Sequence, residues 1–156
     1  MFIGLKNNQF YVNKFVFSSF KKASKDAIVA AVKTYLMSVK GIKQVWTYDE
    51  LKNKVFEPNS LGIFYKNQLY LGRSGEFIIA LDPYCQISKY TTGTSHCTPY
   101  QYDTHVPLIF YQNGVFEEKE VKERVSMLRV ANTVAEILKV PKPPASMGDV
   151  LPALYV

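Results

Sequence analysis

Phe77-Ile78-Ile79-Ala80-Leu81 is the stretch that most constrains this chain of 156 residues. It is five consecutive apolar residues closed by Asp82-Pro83. A strand with one face in water alternates apolar and polar residues. An unbroken apolar run ended by turn residues predicts a strand buried on both faces. Such a strand needs covering elements on each side. Ser24 to Val39 reads as one, an amphipathic helix with Ser24 capping its first free amides. Ile28, Val32, Tyr35, Leu36 and Val39 fall on one face at helical spacing. Gly41 stands where a left-handed C-terminal cap is expected. Ser126 to Lys139 reads as the second main helix, with Ser126 as cap and Leu128, Ala131, Ala135 and Leu138 facing inward. Pro141, Pro143 and Pro144 end it. Buried strands with two main helices predict a layered α/β fold built on a mixed sheet.

Shorter elements fill the intervals. Phe2 to Leu5 and Gln9 to Val12 flank Lys6-Asn7-Asn8, and asparagine tolerates the left-handed backbone of a tight turn, so a hairpin is expected. Val45-Trp46-Thr47 reads as a short strand, followed at Tyr48 by a short helix capped by Thr47 or Asp49. Residues 52–71 carry Pro58, Asn59, Ser60 and Gly62 and read as irregular. Val106 to Tyr111 reads as a second buried strand, with Pro107 at its start or at a sheet edge. The proline-punctuated tail through Leu154 is expected to pack as an extended segment. The length fits one domain, residues 1–156, with enough chain to bury a core. Within it, residues 1–55 form a hairpin–helix–strand subregion, and residues 72–156 carry a long loop, the core strands and the last helix.

The formal net charge of +6 raises the question of nucleic acid. Lysines are scattered and form no basic arm, so the charge reads as solubility and no nucleic-acid partner is expected. No segment is apolar for long enough to span a bilayer, so no membrane partner is expected either. Residues 1–6 lack the pattern of a signal peptide. Eleven tyrosines and ten phenylalanines point to half-buried sheet faces and rims, where a ring packs and a hydroxyl stays wet. The two cysteines, Cys85 and Cys97, allow either a short disulfide-closed loop or two free thiols.

Chemistry concentrates in the polar connection from Pro83 to His105. Both histidines of the chain, His96 and His105, lie there. Loops at strand ends collect binding groups because the sheet holds them rigidly. Zinc needs at least three protein ligands. His96, Cys97, Asp103 and His105 supply them only if the loop folds back on itself, and their spacing matches no zinc-finger pattern. The threonines around His96 invite a nucleophile assignment, but hydroxyl-rich loops usually reflect turn chemistry.

The stretch Gly93-Thr94-Ser95-His96, followed by Pro99-Tyr100, Tyr102-Asp103-Thr104-His105-Val106-Pro107-Leu108 and Phe110-Tyr111, resembles a late motif of the alkaline phosphatase superfamily. The motif reads roughly G-T-x-H-G-x-P-Y-x-Y-D-T-H-V-P. It is found in the PafA-type phosphomonoesterases and shared with the nucleotide pyrophosphatase/phosphodiesterase branch. Asn7 to Asn13, Gly41-Ile42 with Val45-Trp46-Thr47, Arg73-Ser74-Gly75-Glu76 and Val150-Leu151-Pro152 are also similar to this family, in the same order. The resemblance implies the C-terminal portion of an alkaline phosphatase-like catalytic domain.

By that resemblance His96 is a ligand to one of two zinc ions. Asp103, His105 and Thr94 then hold the loop, as second-sphere or structural groups, with direct contact by His105 as the alternative. Cys85 and Cys97 are a disulfide pair or a source of a soft ligand. The family hydrolyses phosphate esters through a phospho-enzyme on a threonine or serine, with zinc ions activating the nucleophile and stabilising the leaving oxygen. Nucleophile and remaining ligands lie upstream in family members, so this chain is expected to supply one ligand and be inactive alone. Its parent is expected to be a periplasmic or secreted hydrolase. Two departures stand out. Cys97 replaces the glycine that follows the ligand histidine, and Arg129 replaces an aspartate near the start of the last helix. They give some weight to the alternative of a non-catalytic binding or interaction module that kept the fold. Either way, uncovered sheet edges predict self-association.

Overall fold

The computed structural model describes residues 2–114 and 116–152. The chain divides into two compact units, Met1–Pro107 and Leu108–Val156.

The first unit begins with the expected hairpin, β1 (Phe2–Lys6) and β2 (Gln9–Val12), paired antiparallel. Asn7 and Asn8 both take positive φ, 50° and 57°, as the two central residues of such a turn require. After α1 (Lys14–Ser18), capped by the Asn13 side chain, comes α2 (Lys22–Ser38). Strand β3 (Ile42–Thr47) runs directly into α3 (Tyr48–Asn53). Here Thr47 and Glu50 form a reciprocal capping box. A further helix, α4 (Leu61–Lys66), lies inside the interval expected to be irregular. Ser60 precedes it, and Leu61 and Tyr65, one turn apart, pack toward the core.

The apolar run is β4 (Phe77–Leu81), buried at every residue. It pairs antiparallel with β2 on one side and β3 on the other, giving the order β1-β2-β4-β3. The sheet is antiparallel throughout the described residues, where a mixed one was expected. Strand alternation then sorts the core. Phe77, Ile79 and Leu81 join Val12, Val45 and Leu36 of α2 in one cluster. Ile78 and Ala80 join Trp46, Leu51 and Tyr65 in a second, on the α3–α4 side. Burying each large side chain of β4 contributes about 1.5–3 kcal/mol. The layered α/β architecture expected from the run is present.

Three local expectations fail. Helix α2 starts at Lys22 with Lys21 as its cap residue, so Ser24 lies inside the helix and caps nothing. Its inner face is Val29, Val32 and Leu36, whereas Tyr35 is 69% exposed. Gly41 does take positive φ, 89°, but in the turn into β3, two residues after the cap residue Val39. Val106 to Tyr111 forms no strand, and Val106, Ile109 and Tyr111 are exposed. Both edges of β4 are already occupied, by β2 and β3, and Pro107 has no amide to donate to a ladder.

In the second unit Ser126 caps as expected, its hydroxyl accepting from the Leu128 amide. One 3-10 turn (Met127–Arg129) leads into α6 (Val130–Leu138). The buried face is Asn132, Thr133 and Ala135, while Leu128, Ala131 and Leu138 face solvent. Polar contacts hold the following tail there. The Thr133 hydroxyl donates to Arg129 O at 2.7 Å and accepts the Leu151 amide at 3.0 Å. Arg129 Nη1 donates to Val150 O at 3.2 Å, which gives this cation a backbone acceptor at the helix start. Val150 and Leu151 are buried. Leu154, the expected end of the packed tail, lies outside the described residues.

Candidate functional site

The loop that carries the motif leaves the end of β4 and closes with the short helix α5 (Gln101–Thr104), all within the first unit. Two contacts root it. The Tyr100 hydroxyl donates to Leu81 O at 2.6 Å, tying the loop to the last residue of β4. Burial, with Asp82, Tyr102 and Cys85 nearby, pushes that hydroxyl's pKa up. The Asp103 carboxylate accepts the Thr98 amide at 2.5 Å, folding the segment just after His96 back onto α5. Asp103 thus touches backbone.

His96 itself is exposed, within an exposed stretch from Thr91 to Cys97. Its Nδ1 lies 2.7 Å from the Cys97 sulfur. Cys97 holds φ at 77°, the left-handed region that favours glycine. An ordinary backbone was expected for cysteine here. Instead the loop keeps the glycine-like turn with a side chain that disfavours it. Thr94 is exposed next to Gly93, whose φ is 110°. The hydroxyl of Thr98 is buried without a partner among the described residues.

His105 terminates α5, its amide bonded to Gln101 O at 2.9 Å. The ring is exposed and lines an open hollow of about 350 Å³ with Tyr84, Gln101 and Tyr102. No strand follows it, so the expected setting at a strand entrance is not observed. Cys85 and Cys97 are both free thiols, and the disulfide alternative is not realised. Cys85 is half-buried and packs against the α2-side core, where a Cβ on Gly41 would meet its sulfur at 3.3 Å. Cys97 lies in the exposed loop.

By themselves these residues do not fit a zinc site. Such a site needs three or four donors. No group of three histidine, cysteine, aspartate or glutamate side chains is gathered among the described residues. His96 and Cys97 converge as a pair, one nitrogen and one sulfur, open to solvent. Asp103 is engaged with backbone.

Sequence reasoning alone misses the tyrosines of this site. Tyr84 and Tyr102 stack with centroids 4.5 Å apart and planes at 19°, and Tyr100 stacks on Tyr102 at 5.7 Å and 20°. Beneath them, burial and the neighbouring Tyr100 and Tyr102 push the Tyr65 hydroxyl up to about 12. Three tyrosines at both ends of one loop are the only sequence signal for this cluster.

No family model matches the chain. Individual relatives do. A protein of Myroides odoratus described as a calcium-transporting ATPase is 30% identical over 145 residues, 92% of this chain and 26% of its own length. Alkaline phosphatase PafA of Elizabethkingia meningoseptica is 30% identical over 145 residues, 91% of this chain and 26% of that one. Alkaline phosphatase PhoV of Synechococcus elongatus is 31% identical over 115 residues, 74% of this chain and 19% of that one. The first name denotes a different activity from the other two, and each belongs to its own protein. The crystal structure of wild-type PafA superposes with a TM-score of 0.82 at 24% identity, over 96% of this chain and 28% of that one. A mutant PafA gives 0.80 at 25% identity with the same coverage. This chain therefore spans about a quarter or less of the length of the curated relatives it matches. Matching relatives along most of the chain and a shared fold make it similar to the alkaline phosphatases PafA and PhoV, over a span consistent with a C-terminal portion of the PafA-type chain.

Proposed function

We infer that the chain contributes one zinc ligand, His96, to a phosphate-ester hydrolase whose nucleophile and other ligands lie on further polypeptide. The observation that carries this reading is the placement of His96. Its imidazole is exposed on a loop held at the end of the central strand, with no third donor gathered beside it among the described residues. A histidine kept for packing would be buried among apolar groups or bonded to backbone. This one is presented outward on a loop fastened at Tyr100 and Asp103. Thr94, Asp103 and His105 act here as positioning groups. A periplasmic or secreted location for the complete enzyme goes with this reading.

Cys97 supports a refinement. Its sulfur lies beside His96 Nδ1, which puts a soft donor next to the proposed ligand. The same residue gives a second reading its one specific support. A cysteine held at φ 77° where family members carry glycine fits a module that kept the fold and lost the chemistry.

The two readings separate in a longer polypeptide that carries this chain together with its upstream residues. The first predicts that zinc binding there weakens at least tenfold on His96→Ala, while the second predicts no change. The 156-residue chain alone, supplied with zinc, is expected to leave p-nitrophenyl phosphate essentially unhydrolysed. Robust zinc-dependent hydrolysis by the chain alone, abolished by His96→Ala, would overturn the assignment of the nucleophile to other polypeptide.

A further inference from the structure

The tyrosines beside β4 form an ordered series that a metal-holding loop does not need. Tyr100 is rooted at Leu81 O, Tyr102 stacks on it, and Tyr84 stacks on Tyr102. The Tyr102 hydroxyl also accepts the Tyr84 amide at 3.0 Å, so ring and backbone hold one another. Tyr84 is the last ring. It is 85% exposed, covered on one side by Tyr102 and open on the other. It keeps this place at φ 62°, a conformation that glycine or asparagine adopts with far less steric penalty. The turn alone therefore needs no ring, and a bulky residue held at such a backbone points to use of its side chain.

Beside the stacked pair lies the open hollow lined by Tyr84, Gln101, Tyr102 and His105. Its volume, about 350 Å³, falls in the range of small-molecule sites. The Gln101 carboxamide brings donors and an acceptor to the rim, and the His105 imidazole brings one of each when neutral. Stacked aromatic faces with polar groups at the edge suit one class of ligand, a planar ring that carries hydrogen-bonding atoms on its perimeter.

We propose that Tyr84, Tyr102, Gln101 and His105 form a stacking subsite for such a ring, borne on the alcohol side of a phosphate ester. The ring is a nucleobase or a substituted aryl group. Placement on the ester's alcohol side rests on the phosphatase reading above, whereas ring binding itself does not.

The test uses the whole 156-residue chain without zinc, followed through its tyrosine ring resonances by NMR. The probes are adenosine, adenosine monophosphate, p-nitrophenyl phosphate, glycerol phosphate and inorganic phosphate. The ring-bearing probes are expected to shift the Tyr84 and Tyr102 signals, and the last two are expected not to. Tyr84→Gly suits the positive φ, so it deletes the ring without straining the turn. It is expected to weaken ring binding about tenfold or more. Tyr84→Phe keeps the stacking face and is expected to bind within about twofold of the wild type. Adenosine binding better than p-nitrophenyl phosphate assigns the subsite to nucleobases, and the reverse order assigns it to aryl groups. Ring-bearing probes that bind no better than glycerol phosphate overturn the proposal, as does unchanged binding by Tyr84→Gly. Adenosine carries no phosphate, so its binding survives a failure of the phosphatase reading, and its loss leaves that reading standing.

Discussion

The Nδ1 atom of His96 lies 2.7 Å from the sulfur of Cys97, and Cys97 makes that contact from a backbone at φ 77°. The pair couples the candidate ligand to a conformation that costs a non-glycine residue about 1–2 kcal/mol. Replacing Cys97 by glycine removes that cost and returns part of it as backbone entropy. Cys97→Gly is therefore expected to stabilise the chain by up to about 1 kcal/mol. Cys97→Ala keeps the strain and loses the sulfur contact, so it should not stabilise. Urea denaturation of the two variants checks the ordering. A glycine variant clearly less stable than wild type would show that the thiol contact outweighs the strain.

Ile79 and Ile109 are the same residue type in two apolar runs that look alike in the sequence. Ile79 is fully buried at the centre of β4, whereas Ile109 is 82% exposed. Ile79→Ala is expected to cost about 2–5 kcal/mol. Ile109→Ala is expected to stay within about 0.5 kcal/mol of wild type. Comparable losses at both sites, read by thermal and urea unfolding, would restore the second buried strand.

Glu50 is held by its capping box with Thr47 and by Lys33, whose Nζ lies 2.6 Å from one carboxylate oxygen. Burial alone raises its pKa, but the Lys33 hydrogen bond and charge, with the Thr47 contacts, outweigh burial and hold it below 4.5. A carboxylate depressed on folding adds stability above its unfolded pKa, and that stability is lost as pH falls through the lower folded value. Glu50→Gln should therefore narrow the stability gap to wild type as pH drops below about 4.5. An unchanged gap between neutral pH and pH 3 would mean that the pair contributes nothing. Thr47→Ala removes the other half of the box and is expected to cost about 1 kcal/mol at neutral pH.

Phe15, Val55 and Ile109 are large apolar side chains left in solvent among the described residues. Strand β1 stands at one edge of the sheet order and β3 at the other. Open strand edges and exposed apolar groups both favour association. The chain is expected to form dimers or larger species with rising concentration in light scattering. A clean monomer at high concentration would show that these groups are too dispersed to act together.

The sequence by itself determined the elements whose signals are local. The run at Phe77–Leu81, the Asn7-Asn8 turn and a helix start at Thr47 or Asp49 need only neighbours along the chain; the first two are found, and the structure selects Thr47 as the cap. The motif around His96 was legible as a pattern of residue types, and with it the likeness to alkaline phosphatases. Tertiary structure alone decided which apolar groups became core. Tyr35, Leu128 and Leu138 satisfy helical periodicity yet face water, because a pattern marks a face without supplying the element that covers it. Val106 to Tyr111 forms no strand, and its Pro107 has no amide to give to a ladder. The left-handed backbone of Cys97 and the Tyr84–Tyr102 stack were likewise decided by how the loop is fastened at its two ends, through Leu81 and Asp103. Spacing in the sequence carries no record of those long contacts.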